Sequence, residues 1–185
     1  MVSPGRRVQE AIDYMDRGQV GLALSPACIA LDVSSQRYAG ASSSSESVHR
    51  SFVRDYLWLI TYVGFRGLGS SSVRIPFSHP RVLPDAAGTV GIEDVIYHVV
   101  RGSLMHEGEG GTRVGSDPSG NSLPGRDLVW GLIASVVFAP VNARESIPDN
   151  YWISVADLKM FISEVWGRID IPKRVIKFYT GSTIP

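Results

Sequence analysis

The chain has a single cysteine, Cys28, among 185 residues. A lone thiol cannot close an internal disulfide, so a disulfide-stapled scaffold is excluded. No Cys/His cluster has metal-ligand spacing, and neither a metal nor another cofactor is expected. Lysine is nearly missing: Lys159, Lys173 and Lys177 are the only ones, and arginine supplies the other basic residues. Neither sign of charge is in excess, with 18 basic and 18 acidic residues. That balance argues against broad coating of nucleic acid by a basic face, while leaving room for a local basic cleft. Long apolar runs are also missing. The longest, LVWGLIASVVFAPV, falls short of the ~20 residues a bilayer-spanning helix needs, and it contains Pro140. The first residues, MVSPGRRVQEAID, carry charge without the apolar stretch of a secretory signal. The expectation is a cytoplasmic protein without membrane attachment.

What is present is enough for a core. Hydrophobic residues make up 44% of the chain, and the length suits one domain, residues 1–185, without internal repeats. Residues 4–17 form a first predicted helix, with Val8, Ala11, Ile12 and Met15 on one stripe. A second is expected from about Ser25 to Arg37, with Ser25 as N-cap and Pro26 at its first position. Asp32 is the one charge in its apolar patch, read either as an exposed carboxylate or as a buried partner for an arginine. Residues 39–47, AGASSSSES, read as a flexible linker.

Residues 46–65 carry the clearest pattern. Phe52, Tyr56, Leu59, Ile60 and Val63 mark a single helix whose aromatics belong to the core rather than to a base-stacking platform. Residues 73–90 are irregular, with at most a short edge strand at VRIPF, and His79 and Arg81 fall in a loop. Arg126–Asn142 is apolar nearly all round and predicts a central buried helix, preferred on length over a strand across its β-branched ASVVFAPV portion. Residues 151–167 predict the last helix, with Ser154 as N-cap and Val155, Leu158, Phe161, Ile162, Val165 and Trp166 facing inward. Residues 168–185 form a basic C-terminal tail, read as a short strand or an arm. The fold class is therefore all-α: a single compact bundle of five or six helices with at most minor strand segments.

The organising stretch is Ile92 to Glu109, IEDVIYHVVRGSLMHEGE. Glu93 and Asp94 sit in its first turn, where the helix dipole favours carboxylates. Ile92, Ile96, Val99, Val100 and Leu104 form its apolar stripe, and Gly108, Gly110 and Gly111 stop it. Arg101 and His106 stand near its end. On an ideal α-helix residues five apart differ by about 500°, roughly 140° around the axis, so convergence needs a loosened helix end or a two-fold partner. The following segment, residues 110–125, is rich in Gly, Ser, Asp and Pro and reads as a flexible loop able to act as a lid or substrate contact.

The chemistry available to such a pair is defined. A histidine titrates near neutral pH and can take a proton from a ribose 2′-OH or give one to a leaving 5′-oxygen. An arginine can hold the phosphate and neutralise charge in the transition state. Arg101 paired with Glu107 or Asp94, with His106 capping the helix C-terminus, is the structural alternative. HEGE lacks the second histidine of a zincin helix, GEGGTRVG lacks the Lys-Ser/Thr ending of a P-loop, and no G-x-S-x-G elbow occurs.

The Arg101–His106 motif within YHVVRGSLMHEGE, ahead of a helix-breaking segment, resembles the HEPN superfamily. The specific resemblance covers about fifteen residues. Members are bundles of about four or five helices with an R-x4-6-H motif late in one helix. The resemblance implies a metal-independent endoribonuclease, RNA as substrate, and a homodimer whose partner copies share the cleft. It also implies work in a toxin–antitoxin or antiphage setting, with an antitoxin or defence-system protein as partner. Arg101 and His106 are then the catalytic residues, and His98, Glu107 and Arg113 the candidate substrate contacts. Active members usually carry a polar residue directly after the arginine, whereas this chain has Gly102. A non-catalytic HEPN-like scaffold acting through protein contacts is the alternative.

Overall fold

The computed structural model describes residues 3–42, 45–65, 67, 69–76, 82–101, 125–145, 147 and 150–181, and the side chains of all of these but 99–101. The first helix lies where the apolar spacing places it. Ser3 caps α1 (Pro4–Asp16) by accepting the Arg6 N–H, and Val8, Ala11, Ile12 and Met15 are buried. Helix α2 (Val20–Ala39) starts earlier than expected and carries Pro26 in its second turn. Burial of Ala23 and Leu24 extends it past the proline, whose fixed φ suits a helix even though its missing N–H does not. Gly40, at φ 61°, closes it in the left-handed region.

The expected single helix over residues 46–65 is two. Helix α3 (Glu46–Asp55), capped by Ser45, ends at Tyr56, whose φ of −102° and ψ of 5° break the winding before α4 (Leu57–Gly64). Tyr56 stacks on Phe52 with centroids 4.5 Å apart, and the edge of Tyr38 meets both rings. The aromatics are core, as their spacing predicts: Phe52, Tyr56 and Trp58 are buried.

The apolar stretch after residue 125 forms α6 (Gly125–Val137), followed by a 3-10 turn at Pro140–Asn142. Leu128, Leu132, Ile133, Val136 and Val137 are completely buried. Helix α4 crosses it at very close range. A Cβ on Gly131 would stand 2.5 Å from the Ile60 carbonyl oxygen, and one on Gly64 2.8 Å from that of Asp127. Beside this crossing, buried Asn142 donates from Nδ2 to Ser34 Oγ at 2.8 Å and to the Val136 carbonyl at 3.0 Å, while Trp166 donates to the Asn142 carbonyl at 2.6 Å.

The mostly helical fold also carries two small two-stranded sheets, the minor strand segments the expectation allowed. β1 (Arg74–Pro76) pairs antiparallel with β2 (Thr89–Gly91), and β3 (Trp152–Val155) with β4 (Leu158–Phe161). Residues 151–161, expected in the last helix, are therefore mostly hairpin. Ile153 and Val155 are buried while Trp152 and Ser154 face out, the period of two that a half-buried strand requires. The helical reading failed because Val155, Ile162 and Val165 also fit a helical stripe, yet Leu158 in the same stripe is exposed. The tail expected as a strand or arm contains helix α8 (Asp170–Thr180).

The two hairpins share a construction that the sequence does not announce as a repeat. β2 runs directly into α5 (Ile92–Val95), and β4 directly into α7 (Ile162–Val165); the helices read IEDV and ISEV. In each the isoleucine and valine are buried. The Ile92 N–H bonds the Val73 carbonyl, next to β1, and the Ile162 N–H bonds the Tyr151 carbonyl, next to β3. The described residues contain eight α-helices, more than five or six, because the long stripe divides and these one-turn helices add to it. One continuous apolar core joins α1 through α8, with a satellite of Val82, Val90 and Val95 beneath the first hairpin.

Candidate functional site

Helix α5 does not continue as an α-helix. Its winding widens into a π-helical segment, Ile96–Arg101, which includes the arginine singled out from the sequence. Ile92, Val95 and Ile96 anchor the element in the core. The segment rests against α2 and α3, whose facing residues are polar.

At the centre of that contact lie Asp32 of α2 and His49 of α3. His49 Nδ1 meets Asp32 Oδ1 at 2.7 Å. A carboxylate only accepts, so the imidazole donates from Nδ1. The His49 side chain is completely buried, and its Nε2 has no hydrogen-bond partner among the described residues. Tyr97 of the π-helical segment lies edge-on to His49, with ring centroids 5.3 Å apart. A pair with no solvent exposure at the imidazole holds the segment's seat rather than touching a macromolecule.

Around this pair runs a seam of ion pairs. Arg50 reaches Glu46 at 3.0 Å and Asp94 at 2.5 Å. Arg54 faces Glu93 at 3.9 Å. His98 Nε2 lies 3.4 Å from Glu46 Oε1, with a quarter of its side chain exposed. The carboxylates in the first turn of α5 are thus matched to arginines of α3 as well as to the helix dipole.

Of the five residues drawn from the sequence, His98 is the one whose surroundings are defined. Arg101 is placed by its backbone in the π-helical segment. His106, Glu107 and Arg113 lie outside the described residues, as do His79, Arg81 and the 110–124 stretch of the expected loop. The Asp32–His49 pair was missed in part. Asp32 stood out as a charge among apolar neighbours, and the contact that the described residues show for it is His49. His49 carried a usable signal, since it precedes Phe52, Val53 and Tyr56 on the apolar face of its helix. Among the described residues no group of three or more His, Cys, Asp or Glu is arranged to hold a metal, and no helix is long and apolar enough to cross a membrane.

The model of the family described as Rv1289 matches residues 3–184. The chain belongs to the Rv1289 family. The protein named Uncharacterized protein Rv1289, from Mycobacterium tuberculosis strain ATCC 25618 / H37Rv, is 27% identical over 198 residues, covering 99% of this chain and 92% of that protein. Uncharacterized protein Mb1320 of Mycobacterium bovis, strain ATCC BAA-935 / AF2122/97, matches with the same identity and coverage. No solved structure matches. The Rv1289 family match spans the π-helical segment and both hairpins, so the whole described architecture falls within it.

Proposed function

We propose that this chain is a metal-independent endoribonuclease of HEPN type, with Arg101 and His106 as its catalytic residues. The supporting observation is the winding of Ile96–Arg101. A π-helix bonds residue i to i+5, so residues five apart come close to one face. An α-helix turns the same two residues about 140° away from each other. Arg101 and His106 are five apart, the spacing that such winding favours for a shared face. Single π-helical turns also occur frequently at functional sites.

In this reading His106 serves as proton acceptor or donor. The ribose 2′-oxygen loses its proton and attacks the adjacent phosphorus, the bond to the 5′-oxygen breaks, and that oxygen leaves with a proton. The products are a 2′,3′-cyclic phosphate and a 5′-hydroxyl. The Arg101 guanidinium neutralises charge on the non-bridging oxygens. His98, on the same segment and partly exposed, stands where a substrate contact is needed, and Glu107 and Arg113 complete the proposed contacts. A homodimer brings two such elements to one cleft. A cytoplasmic toxin or antiphage component, held in check by a protein partner, is the setting for this activity.

A second reading is a non-catalytic scaffold of the same type. Gly102 follows Arg101 in place of a polar residue, and both arginines of the described seam, Arg50 and Arg54, already face carboxylates. The deciding experiment incubates generic single-stranded RNA with the protein in EDTA. Cleavage lost in both Arg101→Ala and His106→Ala, with circular dichroism unchanged, supports the nuclease. A folded wild type that leaves a varied RNA pool intact supports the scaffold.

A further inference from the structure

On a different face, α1, α4, α6, α8 and the β3–β4 hairpin surround a pocket of about 810 Å³. None of its lining residues comes from α2, α3 or the π-helical segment, so it is separate from the seam described above. We infer that this pocket binds an organic cation with an apolar body, such as an aryl-alkyl amine.

Aromatic rings supply the apolar walls. Tyr62, Trp130, Trp152 and Tyr179 come from four different elements, Tyr151 directly precedes Trp152, and all line the pocket. Trp152 and Tyr179 are substantially exposed, at 38% and 54%, a cost in wetted aromatic surface that a ligand would remove. The volume lies in the range of small-molecule sites, which combine apolar walls with a few fixed polar groups.

The charges set the sign of the ligand. Asp16 from α1 and Asp157 from the hairpin turn line the pocket, against Lys159 alone. A third carboxylate stands behind the wall: Tyr151 donates its hydroxyl to Asp13 at 3.1 Å. The phenols respond to this negative field. Burial pushes the Tyr62 phenol up, and Tyr179 and Asp157 push it further. Burial also raises Tyr151, joined by the Asp13 hydrogen bond and the charges of Asp13 and Asp16. The carboxylates lining the pocket repel phosphate and carboxylate ligands and attract ammonium. One aromatic face already holds an ammonium, since Lys159 Nζ lies 4.8 Å from the Trp152 ring centroid. The hairpin turn is also held in an unusual conformation: Ala156, in the lining, has a φ of 52°, where residues other than glycine are rare.

The test uses the full chain and three probes with one apolar body: 2-phenylethylamine, 2-phenylethanol and phenylacetate. Calorimetry and tryptophan fluorescence report binding. The amine binds saturably and about threefold to tenfold tighter than the alcohol, with phenylacetate weakest. Asp157→Asn lowers the amine to the level of the alcohol without changing the alcohol, and Trp152→Leu weakens both. Circular dichroism confirms that both variants stay folded; Asp157 is exposed, so its substitution leaves the core intact. Absence of saturable amine binding, equal binding of amine and alcohol, or phenylacetate as the tightest probe overturns the inference. Amine binding unchanged in both variants places it elsewhere and overturns it as well.

Discussion

His49 and Asp32 meet at 2.7 Å beneath the π-helical segment, with the imidazole completely buried. The pair ties α3 to α2 at the place where Tyr97 packs on the histidine ring. Removing one partner strands the other's polar atom in a dry contact. Asp32→Ala is therefore expected to lower unfolding free energy by about 1–3 kcal/mol. The double variant Asp32→Ala/His49→Leu is expected to lose less than the sum of the singles, because neither residue then strands the other. Urea denaturation of the four proteins measures this, and additive losses would show that the pair is not coupled.

Gly131 and Gly64 set the distance between α4 and α6. A methyl group at residue 131 must displace the Ile60 backbone carbonyl, which a helix cannot yield cheaply. Gly131→Ala is expected to destabilise by about 1–3 kcal/mol despite its better helix propensity. Gly21→Ala serves as the control, because nothing lies within 4 Å of a Cβ there, and it is expected to be neutral or stabilising. Thermal melts of both variants decide the matter. A melting point for Gly131→Ala equal to or above wild type would refute the close crossing.

Tyr56 links packing to alkaline stability. Burial, with smaller contributions from Tyr38 and Asp55, pushes its phenol from 10.0 up to about 12. The neutral phenol is thus favoured in the folded state. The stability it contributes is complete below pH 10 and is lost as pH rises from 10 toward 12. Tyr56→Phe keeps the stacking on Phe52 and removes the titration, so it is expected to move alkaline unfolding to higher pH. Ultraviolet titration of phenolate, followed beside circular dichroism, checks both points. An unchanged alkaline transition in Tyr56→Phe would mean that this phenol titrates as an exposed one does.

The sequence revealed elements whose burial had one period and one possible partner type. Helix α1 and buried α6 lie within a few residues of their expected bounds, α1 because its apolar spacing is helical and α6 because its apolar run is too long for a single strand. The hairpin over residues 152–161 was hidden because its inward residues fit both the two-residue and the helical period. Only the sheet partner decides between them, and that pairing is a tertiary fact. The break at Tyr56 was hidden for the opposite reason: both halves bury the same stripe, so the pattern runs through the kink. At the site, the helix start was readable from charge and spacing. The π-winding was not, because IYHVVR carries no pattern that separates it from an α-helix and its neighbours in α2 and α3 lie far away in the chain. The pocket was out of reach for the same reason, since its walls come from distant parts of the chain.

The most direct measurement of the proposed reaction uses one RNA and its 2′-deoxy counterparts. The products of wild-type cleavage in EDTA are first mapped and their ends identified. The RNA is then made with a single 2′-deoxy sugar on the 5′ side of the main cleavage position. The proposed mechanism requires 2′,3′-cyclic phosphate ends and complete loss of cleavage at that position, with neighbouring positions unaffected. Cleavage that persists at the deoxy sugar, or that leaves a 5′-phosphate, would contradict attack by the 2′-oxygen and with it the roles given to Arg101 and His106.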